Sequence, residues 1–122
     1  MVTFDRMPYG LKITFTGGKA DQNIDDLIAK GEPYFSSMPP GWRLVSDVRE
    51  APIMTQEDFG RVAAFLAGFK NPVARGAVLV NSPIFAMQLR RLYKSVGAEH
   101  RFRIIEAEPG PAGMQEAEAF VQ

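Results

Sequence analysis

The sequence predicts a single α/β domain, a mixed, mainly parallel sheet with helices packed on it, in the order β-β-α-β-α-β-α-β-α. Two runs without clean alternation, Trp42–Val48 and Arg75–Val80, read as strands buried on both faces, as in a helix-covered parallel sheet. Each leads to a hydroxyl residue suited to cap an amphipathic helix, Thr55 after the first and Ser82 after the second. Strands alternating with helices imply parallel strands joined by right-handed crossovers.

The elements follow in order. Val2, Phe4 and Arg6 alternate with Thr3 and Asp5, and Leu11, Ile13 and Phe15 alternate with Lys12, Thr14 and Thr16. With the turn Met7-Pro8-Tyr9-Gly10 between them they predict a hairpin with one apolar face. Asp21–Ala29 predicts a helix capped by Asp21, with Ile24, Leu27 and Ile28 on one stripe. Gly31 and Pro33 are expected to end or break it before Tyr34-Phe35. Met38-Pro39-Pro40-Gly41 is a loop.

Thr55 with Asp58 forms a capping-box pattern, and Phe59, Val62, Ala63, Leu66 and Phe69 predict the buried stripe of the helix it starts. Pro83 stands at the first helical position after Ser82, and Gly97 ends that helix after Phe85, Leu89, Leu92 and Val96. Phe102, Ile104 and Ile105 predict the last strand. Ala117, Phe120 and Val121 predict a short final helix after Pro109-Gly110-Pro111.

A chain of 122 residues forms one domain with a substantial core. Its apolar content of 46% and charged content of 23% are those of a soluble globular protein. It has no cysteine, which excludes disulfides and thiolate metal sites. The N-terminal residues lack a signal-peptide layout, and no apolar run nears the ~20 residues that span a bilayer. A cytoplasmic protein that does not span a membrane is the expectation.

The formal net charge is zero but uneven: residues 61–103 carry eight Lys/Arg against one acid, Glu99. Arg90, Arg91 and Lys94 form a candidate basic surface within that stretch. It suits an acidic partner or an anionic headgroup, or is simply a solvated face. The shortage of nearby aromatic platforms argues against nucleic acid.

The order and its end motifs resemble the STAS family, and more narrowly the bacterial SpoIIAA-like proteins of STAS/SEC14 type. The resemblance rests on the opening hairpin before an acidic first helix and on the strand ending in Asp47 before a capped helix. It continues in Asn81-Ser82-Pro83 ahead of the basic helix Arg90–Gly97, and in Phe102-Arg103-Ile104-Ile105 ahead of Glu116–Val121. It implies a non-enzymatic regulatory or protein-interaction module, with relatives that resemble lipid-binding domains. It also implies a phospho-switch at the start of the helix after the central strand, which falls nearest Thr55. Members of the family have an Asp-Ser-Ser-Gly-like run there; this chain has Ile53-Met54-Thr55-Gln56-Glu57-Asp58.

On its own chemistry Thr55 reads as a helix cap, since Glu57 and Asp58 would repel a phosphate placed on it. The candidate switch or partner-binding residues are Thr55, Asp47, Met54, Asn81 and Ser82. Met7, Met38, Met54, Phe35, Phe85 and Met87 exceed what the helical stripes need. They read as core filling or as the lining of a pocket for a small apolar or lipid-like ligand.

Other chemistries lack a constellation. One histidine, His100, with no G-x-S-x-G elbow speaks against a hydrolase. Gly17-Gly18-Lys19 lacks the first Gly and the Ser/Thr of a P-loop. Asp21, Asn23, Asp25 and Glu32 have calcium-loop spacing, but Asp26 occupies the obligatory Gly position. No metal and no cofactor are expected.

Overall fold

The computed structural model describes residues 1–122. Along the chain run β1 (Val2–Met7), β2 (Gly10–Thr16), α1 (Ala20–Ser36), β3 (Arg43–Glu50), α2 (Gln56–Ala67), β4 (Arg75–Val80), α3 (Pro83–Ser95), β5 (Phe102–Glu106) and α4 (Pro111–Val121). The five strands lie side by side in sequence order, β1-β2-β3-β4-β5. Only β1 is antiparallel to its neighbour; β2 through β5 are parallel. The mixed, mainly parallel α/β sheet predicted from the sequence is therefore observed.

The hairpin is tight because Met7 pairs with Gly10, leaving Pro8 and Tyr9 as its loop. Gly10 has φ +146°, and a Cβ there would stand 2.2 Å from the Arg43 carbonyl oxygen. That close approach lets the Arg43 N–H donate to the Tyr9 carbonyl at 3.0 Å and starts β3 beside β2.

Three successive crossovers of one hand step across the sheet in one direction, so α1, α2 and α3 fall on the same face. Their core takes Leu44 and Val48 from β3 and Val78 and Val80 from β4. The alternate residues Val45, Ala77, Leu79 and Ile105 point the other way, where α4 covers them with Ala117 and Val121. Period-two alternation thus gives β3 and β4 two buried faces, as their lack of clean apolar–polar alternation predicted.

The structure corrects several boundaries. α1 does not stop near Ala29 but continues through Gly31 and Pro33 to Ser36. Pro33 withholds a hydrogen bond from the Ala29 carbonyl, but both residues are exposed, so water can satisfy that oxygen. The buried face Ile24, Leu27, Gly31 and Phe35 holds the helix in register past the proline. Asp21 lies in the first turn, and Lys19 is the N-cap. β3 begins at Arg43 and runs on to Glu50. Phe69 lies beyond the end of α2, and the apolar stripe of that helix is half-buried rather than buried.

Candidate functional site

The carboxyl ends of β3 and β4 are adjacent, and from them leave the loops that start α2 and α3. Thr55 caps α2 reciprocally. Its Oγ1 accepts from the Asp58 N–H at 3.2 Å, and the Asp58 carboxylate accepts from the Thr55 N–H at 3.1 Å. Ser82 caps α3, its Oγ accepting from the Phe85 N–H at 3.3 Å, with Pro83 at the first turn. Both hydroxyls are therefore committed as acceptors at helix starts, where the helix dipole also favours negative charge. Asn81 is exposed beside them.

Three large apolar residues face solvent on these same elements. Ile53 is 54% exposed, Ile84 57% and Met87 46%. Met54, next to Ile53, turns inward against the core around Phe85. Thr55, Met54, Asn81 and Ser82 are thus gathered at one edge of the sheet.

Asp47 does not join them. It projects to the α4 face, where its carboxylate takes the Nε and Nη2 hydrogens of Arg49 at 3.0 and 2.9 Å. Arg49 Nη1 spans on to the carbonyls of Glu108 and Gly110 at 2.8 and 3.0 Å, just ahead of α4. The Asp47 bonds hold the Arg49 guanidinium above its ordinary pKa. The pair acts as a clamp between β3 and the start of α4. Arg49 went unnoticed in the sequence; its i+2 spacing from Asp47 on a strand was the available signal, since such residues share a face.

Arg90, Arg91 and Lys94 are all exposed on α3, and none forms an ion pair. No three of His, Asp and Glu converge on a metal-binding arrangement. No helix is long and apolar enough to cross a membrane.

Beneath α2 lies a cavity of about 70 Å³, walled almost wholly by apolar side chains such as Ile13, Leu44, Val62, Leu66 and Val78, with Met54 among its lining. Its origin is the sideways packing of large aromatics. Phe65 and Phe69 meet Phe35 at 5.0 and 5.2 Å between ring centroids, and Phe59 meets Phe85 edge-on at 6.3 Å. α2 consequently leans on α1 and α3 more than on the strands below. Of the surplus Met and Phe residues, Met54, Phe35 and Phe85 line this cavity. Met38 is core, Met7 is half-buried elsewhere, and Met87 is exposed.

No protein-family model matches this chain, and no curated protein or solved structure matches it.

Proposed function

We propose that the chain is a non-enzymatic regulatory module of STAS type that docks a protein partner at the carboxyl edge of β3 and β4. The element order supports the STAS reading. The observation that carries the docking reading is the outward placement of Ile53, Ile84 and Met87 beside two capped helix starts. The engagement of Thr55 and Ser82 in caps speaks for structure and regulation rather than nucleophilic chemistry there.

Regulation would act through Thr55. A phosphate there stands against the Asp58 carboxylate that closes the capping box, so modification loosens the first turn of α2. The test compares affinity capture by the wild-type chain and by an Ile53→Asp/Ile84→Asp variant, with phosphopeptide mapping of the captured wild type. A partner held by the wild type and lost by the variant supports the reading. Identical captures by both overturn the docking edge, and absence of phosphate on Thr55 under kinase-rich conditions overturns the switch.

A second reading, a binder of a small apolar ligand, is favoured by the cavity under α2. At about 70 Å³ it admits only a few carbon atoms, so a lipid-like chain requires α2 to lift. Native mass spectrometry of the gently purified protein tests it. A retained mass supports the reading, and bare protein counts against it.

A further inference from the structure

Between α2 and α3 the surface opens into a groove of about 570 Å³. α2 lines it with Gln56, Phe59, Gly60 and Ala63. α3 lines it with Gln88, Arg91, Leu92 and Ser95. Each set has the spacing i, i+3, i+4, i+7, which is one face of a helix over two turns. The two faces form a trough about 10 Å long, at a rise of about 1.5 Å per residue. Ile84 precedes Gln88 by one turn of α3 and is 57% exposed, so the trough is continuous with the docking edge.

Gly60 marks this groove as a place of close approach. Three glycines lie inside helices: Gly31, Gly60 and Gly113. Two of them answer to the chain's own packing. A Cβ on Gly31 would stand 3.2 Å from the Phe4 ring, and one on Gly113 would stand 2.6 Å from the Ala107 Cβ. A Cβ on Gly60 would meet nothing within 4 Å, and its φ is not positive. Neither backbone nor internal packing calls for glycine there, although glycine weakens a helix interior. Its effect is to leave the α2 backbone bare on the groove wall, open to a close neighbour from outside.

The charge around the groove is one-sided. Arg91 is its only charged lining residue, Arg90 and Lys94 flank it on α3, and none of the three forms an ion pair. α3 contains no acid. Arg61 of α2 is engaged with Asp25 of α1. The complement of such a groove is apolar along its centre and acidic on the α3 side.

We infer that the protein partner of the docking edge lays an amphipathic acidic helix in this groove, its apolar stripe on Phe59, Gly60, Ala63 and Leu92 and its carboxylates towards Arg91 and Lys94. A helix suits the trough because its own anchors recur at i, i+3 or i+4, and i+7. A bilayer surface, being flat, does not follow a concave trough down to Gly60. The inference rests on the docking reading above and names the partner's chemistry.

The test uses the full chain and two synthetic Leu/Ala helical peptides, identical except that one carries Glu and the other Lys on its polar side. The Glu peptide is expected to shift the amides of Phe59–Ala63 and Gln88–Ser95. It should bind about tenfold tighter than the Lys peptide at low salt, an advantage that shrinks as salt rises. Arg91→Glu removes that preference. Gly60→Leu fills the groove without meeting a neighbour, so it should raise the melting temperature while weakening the Glu peptide at least about tenfold. Equal binding of the two peptides, binding of neither, or an unchanged affinity in Gly60→Leu overturns the groove. A dimer that Gly60→Leu dissolves, or binding of phosphatidylserine–phosphatidylcholine vesicles in place of the Glu peptide, assigns another occupant and overturns the partner helix. In the capture experiment above, a partner lost by Ile53→Asp/Ile84→Asp but kept by Gly60→Leu overturns the groove and leaves the docking edge standing. The reverse pattern overturns the edge and keeps the groove.

Discussion

On one face of the sheet a single helix, α4, closes over Val45, Ala77 and Leu79 with Ala117 and Val121, and all five are fully buried. On the other, three helices share the sheet, and the middle one has no fully buried apolar residue. The residue types account for the contrast. Small alanines let α4 approach the strands closely. On α2, Phe59 and Phe65 pack sideways onto the neighbouring helices, and a cavity remains below. Close packing is a matter of matched volumes more than of apolar content, and the looser face is where a ligand or a motion finds room.

The largest expected effect tests this contrast directly. Leu79→Ala is expected to cost about 4 kcal/mol of unfolding free energy, because a tight site cannot collapse around the loss. Leu66→Ala, at a half-buried site already beside the cavity under α2, is expected to cost about 1.5 kcal/mol. Equal losses in denaturant melts would show the two faces to be equally packed.

Arg49→Met comes next, at about 3 kcal/mol, since it strands the Asp47 carboxylate and frees the start of α4. Hydrogen exchange should rise in α4 and β3 while α2 is unchanged; a rise in α2 instead would place the clamp on the wrong face. Thr55→Ala should cost about 1 kcal/mol and raise exchange in the first turn of α2 alone.

The last effect is one of pH and is seen only under alkali. Burial pushes Tyr93 above its ordinary value of 10.0, and burial together with Glu118 does the same to Tyr9. The folded chain then keeps protons that the unfolded chain gives up. Stability is full below about pH 10 and falls as the pH rises further. Tyr9→Phe should flatten part of that fall; an unaltered alkaline melt would show that Tyr9 ionises freely in the fold.

Much of the architecture was legible in the sequence because its signals are local. Thr55 with Asp58, Ser82 with Pro83, and Gly97 mark helix ends through bonds to residues three or four away, and the structure places those caps as expected. The far end of α1 was not legible, because Pro33 is a local stop signal overridden by the burial of Phe35. Within the candidate site, the gathering of Met54, Thr55, Asn81 and Ser82 followed from topology. The turning away of Asp47 depends on α4 returning to the opposite face.

The coincidence of sheet order with chain order bears on how the protein is made. Every strand pairs with the strand before it, so no pairing waits for a distant segment. Each parallel step closes a loop of about one helix, a modest entropic cost. The sheet can therefore grow by accretion as residues become available, each strand docking on an edge already formed. The exception is α4, which returns across β4 and β3 and joins Glu118 to Tyr9 over a separation of 109 residues. Until it docks, the Val45, Ala77 and Leu79 face stands open, and that interval is when a nascent chain is most exposed to aggregation.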